Sequence, residues 1–202
     1  MEELVYLAVA ASYQIECGQG TGSGWGVTLN QGQEEVSFIV TNSHVVEDCL
    51  DQGSVTVWDS NDFDFTAKII AHQSVNHDPD SETWEQDLAL LEPSINGYRT
   101  IRDLASNYQL GSWVMVSGYP GIGADYDSIV LTTGIISSNA GLLGYTTTAA
   151  INPGSSGSMV MNSRGQVIGI VYAGYDENFL NDNGFFLPLN RLYGLISKLQ
   201  KS

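Results

Sequence analysis

The sequence predicts an all-β fold, built as two antiparallel β-barrels with a C-terminal helix. Three observations carry that prediction. Short runs of alternating or β-branched apolar residues recur between Gly-rich turns, charged residues make up only 15% of the chain, and its 202 residues include 22 glycines. Such a composition suits short strands and tight turns rather than long solvated helices. With 43% hydrophobic residues, a chain of this length buries a sizeable core, in one body or in two small halves sharing an interface.

Residues 4–11 are apolar throughout and read as a first strand or a short helix. Strands are then predicted over 24–29, 36–41, 54–58, 65–70, 87–91, 113–119, 128–137, 145–148, 158–160, 167–172 and 184–188. A short helical turn begins at His44, just after the strand ending at Thr41, and holds the histidine at a strand end. Periodicity weakens over 92–111, so the link between halves is placed there, with an N-terminal barrel over 1–98 and a C-terminal barrel over 99–202. Closing each sheet removes its exposed edges. Leu192, Leu195, Ile196 and Leu199 follow a helical spacing, which predicts a helix over about 190–200 with Asn190 as its N-cap.

The chain has 23 acidic and 7 basic residues, a formal charge of −16. Nucleic acid and anionic membrane are both repelled by such a surface, and no Lys/Arg cluster makes an exception. The apolar run over 4–11 is far too short to span a bilayer. Glu2 and Glu3 stand where a secretion signal carries positive charge. Met1 then starts a cytoplasmic protein, or was added to a secreted or periplasmic fragment whose signal was removed; the sequence leaves both open, as it does the oligomeric state. Cys17 and Cys49 are the only cysteines. A bridge between them and a pair of reduced, buried thiols are both compatible with the sequence, and two thiolates without an adjacent histidine make a poor metal site.

His44, Asp87 and Ser156 occur in the chain order that one class of serine hydrolase uses. A serine hydroxyl becomes a nucleophile when a neutral imidazole takes its proton, and a carboxylate fixes the imidazole tautomer and offsets the charge that develops. Each of the three falls on a different strand connection, so a cleft between the halves assembles them. In Asn152-Pro153-Gly154-Ser155-Ser156-Gly157-Ser158, the backbone N–H groups of Gly154 and Ser156 are candidates for an oxyanion hole. Ser155 is the rival nucleophile, displaced by one residue from both glycines. No step of this chemistry calls for a cofactor or a metal.

Gly22-Ser23-Gly24-Trp25-Gly26-Val27, Thr41-Asn42-Ser43-His44-Val45-Val46, Asp87-Leu88-Ala89-Leu90-Leu91, residues 150–158 and Val167-Ile168-Gly169-Ile170 follow one another as in the trypsin-like serine proteases. Over roughly residues 12–198 the chain resembles their bacterial HtrA/Deg branch, with some resemblance to glutamyl endopeptidases. The resemblance implies two barrels of the six-stranded type and a serine endopeptidase acting on extended peptide or unfolded protein. It departs from the branch at Ser158, where a second glycine is usual, and at Met159, where a proline is. The family layout implies a primary pocket with Ala150 at its base and Val171, Tyr172, Ala173 and Phe185 in its walls, suited to small or medium apolar side chains. It also implies that the edge Val171-Tyr172-Ala173 pairs with substrate backbone.

Weaker signals remain. His72, His77, Asp78, Asp80, Glu82 and Glu85 form an acidic stretch that fits no regular calcium loop and reads as solvated. Asp125-Tyr126-Asp127 carries less, and residues 178–183 read as a loop near the specificity pocket. The rival function is a catalytically silent or partner-activated protein of the same fold that binds peptide.

Overall fold

In the computed structural model, residues 2–31, 34–73, 87–121, 128–141, 144–173 and 184–199 are described. The chain opens with helix α1 (Glu2–Ala10), whose first turn carries Glu2 and Glu3 at the end where a helix dipole favours negative charge. This resolves the strand-or-helix alternative for residues 4–11 in favour of the helix. The first strand, β1 (Ser12–Cys17), begins just beyond it and was absent from the predicted strands. Its period-two pattern is plain once seen: Tyr13, Ile15 and Cys17 enter one hydrophobic core, while Ser12, Gln14 and Glu16 take the other face.

Strands β2 (Gly20–Gln31), β3 (Glu34–Thr41), β4 (Ser54–Trp58), β5 (Asp64–Gln73) and β6 (Leu88–Pro93) complete a closed antiparallel barrel in the order β1-β2-β3-β6-β5-β4. A second closed barrel holds β7 (Trp113–Gly118), β8 (Val130–Asn139), β9 (Tyr145–Thr147), β10 (Met159–Asn162), β11 (Val167–Ala173) and β12 (Gly184–Pro188). Its order is β10-β11-β12-β9-β8-β7. The predicted 54–58 and 184–188 match β4 and β12; 24–29, 36–41, 65–70 and 167–172 fall inside longer observed strands, and the remaining predicted strands differ from the observed ones by one or two residues at their ends.

Several strands are apolar on both faces because both faces are buried. In β6, Ala89 and Leu91 point into the first barrel while Leu88 and Leu90 face the other way, into a core shared by the two barrels. In β10, Val160 fills the second barrel and Met159 and Met161 join that shared core. Trp25, Val27 and Val40 meet Met115 and Ile170 there, so the seam between barrels is packed like a protein interior. Between β6 and β7 the chain first pairs with β2, through Ile101 N–H to Gly26 O and Thr28 N–H to Ile101 O. It then pairs with β11, through Val167 N–H to Asp103 O and Ala105 N–H to Val167 O.

A short helix, α2 (Ser43–Val46), follows β3, and the C-terminal helix α3 (Leu189–Leu199) buries Leu189, Leu192, Leu195 and Ile196. Asn190 lies inside α3 rather than at its N-cap. A long-range contact serves this end instead: the Leu189 N–H donates to the Tyr108 hydroxyl at 3.0 Å, which satisfies an orphan donor of the first turn from outside the helix. Among the described residues, no helix is long and apolar enough to cross a membrane.

Candidate active site

β3 ends at Thr41, and Val45 and Val46 of α2 turn into the core of the first barrel, which leaves His44 outward with 41% of its side chain exposed. β6 pairs with β3 in a register that sets Ala89 opposite Thr41. Residue 87, two positions before Ala89, therefore arrives beside the turn that carries the histidine. Asp87 is only 3% exposed, and its carboxylate accepts twice from His44: Oδ2 faces ring Nδ1 at 2.7 Å and Oδ1 faces the backbone N–H at 2.9 Å. A carboxylate at this distance selects the tautomer protonated at Nδ1 and leaves Nε2 free to accept a proton.

Asp87 adopts φ +34°, a region that non-glycine residues enter rarely and at a cost. Asn42 helps hold it there, donating from Nδ2 to the Asp87 carbonyl at 2.8 Å. After α2 comes a 3₁₀ turn, Glu47–Cys49, and Cys49 is joined to Cys17 of β1 with Cα atoms 5.7 Å apart. The segment carrying His44 is thus tied to β1 at its far end.

Ser156 sits in the turn between β9 and β10, where Gly154 (φ +91°) and Gly157 (φ +86°) supply the left-handed conformations. Both positions are also sterically closed. A Cβ on Gly157 would lie 2.0 Å from Ser23 O and 2.6 Å from Thr41 Oγ1, and one on Gly154 would lie 2.7 Å from Tyr119 O. The turn is wedged against the first barrel through Ser23, whose N–H donates to Ser156 O at 2.8 Å and whose hydroxyl donates to Gly154 O at 2.8 Å. Thr41 Oγ1 donates to Ser23 O at 2.7 Å, so the serine turn and the strand end leading to His44 share one anchor. Among the described residues, no hydrogen bond links His44 to Ser156 directly.

Within the turn, the amides of Ser155, Gly157 and Ser158 donate to the carbonyls of Asn152, Val171 and Ser155. Those of Gly154 and Ser156 have no acceptor among the described residues. Ser155 is buried, and its hydroxyl accepts from Asn152 N–H at 3.2 Å. Ser158 is buried too, and its hydroxyl fits because residue 118 is a glycine: a Cβ there would lie 1.8 Å from Ser158 Oγ.

Val171 departs from its expected position. Its side chain is packed in the second barrel with Ile168 and Phe186, and its N–H and C=O are taken by Ser158 O and Gly157 N–H. It braces the serine turn instead of lining an open wall or offering a free edge. Tyr172 and Phe185 do adjoin, with ring centroids 6.0 Å apart, and Ala150 is exposed with its carbonyl accepting from Thr132 Oγ1. Burial first, then the Asp87 charge, pushes the Tyr172 hydroxyl up to about 12. Only the backbone of Ala173 is described. His72 is exposed on β5, while residues 77–85, 125–127 and 178–183 lie outside the described residues.

Ser23, Asn42 and Tyr119 were not assigned roles from sequence. Ser23 lies inside the quoted glycine-rich motif, yet its partners in the serine turn, Gly154 and Ser156, are more than a hundred residues away, beyond the reach of any local pattern.

A family model for the trypsin-like peptidase domain matches residues 21–170. The serine protease Do-like HtrB of Bacillus subtilis is 31% identical over 177 residues, covering 81% of this chain and 35% of that protein. The chloroplastic Protease Do-like 1 of Arabidopsis thaliana is 32% identical over 200 residues, covering 92% of this chain and 40% of that one. The chain thus spans two fifths or less of the length of these relatives. Among solved structures, a serine endoprotease from Yersinia pestis superposes with a TM-score of 0.77 at 23% identity, covering 100% of this chain and 66% of that one, a likeness of fold. Matched over most of its length by the family model and folded as two closed six-stranded barrels, the chain belongs to the trypsin-like peptidase family.

Proposed function

We propose that the chain is a serine endopeptidase that hydrolyses peptide bonds through an acyl-enzyme. The observation that carries this reading is the His44–Asp87 pair, hydrogen-bonded at 2.7 Å and joined through Thr41 and Ser23 to the turn bearing Ser156. His44 Nε2 takes the Ser156 proton as Oγ adds to the substrate carbonyl, and Asp87 stabilises the imidazolium that forms. The amides of Gly154 and Ser156 receive the oxyanion, without reorganisation at the moment of reaction. His44 then protonates the departing amine, and water, deprotonated by the same imidazole, releases the acyl group.

In this reading the units are a first domain over 1–98 carrying His44 and Asp87 and a second over 99–202 carrying Ser156, so the substrate binds along their seam. The substrate is an extended peptide or unfolded protein. Its residue on the acyl side of the scissile bond is small or medium and apolar, since Tyr172, Phe185 and Ala150 offer it no charge. Each methylene of that side chain discriminates by about 1–3 kcal/mol at most.

A fluorophosphonate probe tests the nucleophile directly. Intact-protein and peptide mass spectra should place one phosphonyl adduct on Ser156 in the wild type, with labelling lost in His44→Ala. An unlabelled wild type, or an adduct on another serine, would contradict the proposal.

A further inference from the structure

The face of β1 that turns away from the first barrel carries Ser12, Gln14 and Glu16. Ser12 Oγ meets Ser117 Oγ of the second barrel at 2.8 Å, so this face runs along the seam. Beyond that contact the seam opens into a cavity of about 190 Å³, lined by Gln14, Glu16, Trp58, Asp59, Asp62 and Tyr119. Small-molecule pockets range over about 300–1,000 Å³, so this one has the size for a single long side chain.

Two buried polar atoms border it with no partner among the described residues: the Tyr119 hydroxyl, on a residue only 3% exposed, and Trp58 Nε1. Unpaired buried polar groups cost stability unless something supplies their hydrogen bonds. Burial, followed by the charges of Asp59 and then Asp62, pushes the Tyr119 phenol up to about 12. Its hydroxyl is therefore neutral and within the field of two carboxylates of the cavity. Asp59 already accepts from Asn61 and Phe63, which fixes that wall.

The cavity is close to the chemistry. Tyr119 N–H donates to Ser23 Oγ at 2.8 Å, and Ser23 N–H donates to Ser156 O at 2.8 Å, so two hydrogen bonds separate its wall from Ser156. The serine turn is flanked by Val171 through Gly157 and by Ser23 and Tyr119 through Gly154. With the acyl half of a peptide on the Val171–Tyr172 side, the leaving half crosses on the Tyr119 side.

Resting on the endopeptidase reading, we infer that this cavity is a leaving-group-side subsite for a lysine or arginine side chain. Glu16 and Asp62 attract the cation, the Tyr119 oxygen accepts from it, and Trp58 Nε1–H is left to donate to a carbonyl of the same peptide.

Calorimetric titration of the Ser156→Ala protein tests the site without hydrolysis. Matched peptides would carry lysine, or neutral norleucine, at each of the first three leaving-group-side positions. Lysine should bind about tenfold tighter at one position, the scale of a charge-assisted hydrogen bond. The preference should vanish when Glu16→Gln and Asp62→Asn are added, with norleucine affinity unchanged. Equal affinities for the two peptides, or a lysine preference that survives those substitutions, would overturn the inference. Wild-type protein that cleaves neither peptide, while Ser156→Ala still prefers lysine, would remove the protease reading and leave the cation site standing.

Discussion

His44 binds Asp87 twice, once through ring Nδ1 to Oδ2 and once through its own backbone N–H to Oδ1. The carboxylate therefore orients the ring and holds the chain segment that carries it. In Asp87→Asn the carboxamide donates where the imidazole also donates, and the ring is driven to the wrong tautomer. The expected outcome is a kcat lower by about four orders of magnitude. Steady-state kinetics with circular dichroism to verify folding would check it; a loss of less than tenfold would deny Asp87 its role.

Gly157→Ala puts a methyl group 2.0 Å from the Ser23 carbonyl at φ +86°. Relief requires the serine turn to leave the first barrel, which breaks the Ser23–Ser156 bond. The substitution should lower stability by about 1–3 kcal/mol and abolish labelling of Ser156. Urea denaturation and probe labelling report the two effects separately.

The Cys17–Cys49 bridge closes a loop over a sequence separation of 32. Loop-closure entropy then makes Cys17→Ser/Cys49→Ser less stable by roughly 3–4 kcal/mol, measured as the urea midpoint. Wild type in reductant should converge on the same midpoint.

Burial pushes Tyr98, Tyr119 and Tyr172 from an ordinary value of about 10 up to about 12. Up to about pH 10 these phenols are neutral in both folded and unfolded chains, and their contribution is fully present. Between about 10 and 12 the unfolded chain sheds protons that the folded chain keeps, so stability must fall as pH rises. Urea midpoints read beside tyrosinate absorbance should hold up to about pH 10 and decline from there toward about 12. A flat profile would mean these rings are more hydrated than their burial implies.

The candidate residues His44, Asp87 and Ser156 stood out because the proposed chemistry demands particular residue types in particular surroundings: a histidine at a strand end, an aspartate opening an apolar strand, and a serine between glycines; of these the fold brings His44 and Asp87 into hydrogen-bond contact. The double barrel was legible from strand length and turn spacing. What escaped depends on long-range contact. β1 was passed over because the apolar helix α1 beside it drew the assignment, although 12–17 alternates cleanly. Val171 was expected in a pocket wall from the family layout and on an edge that pairs with substrate, while in the fold its backbone is spent on Gly157 and Ser158. Ser23 drew no role of its own from the sequence, yet it joins the first barrel to the turn bearing Ser156.

Hydrolysis of a quenched peptide library by wild type and by Ser156→Ala, with product masses locating each cut, tests the central claim most directly. The account predicts cleavage after small or medium apolar residues by the wild type and a loss of at least about three orders of magnitude in the variant. Equal cleavage by the two proteins, or none by the wild type across pH and salt, would contradict it.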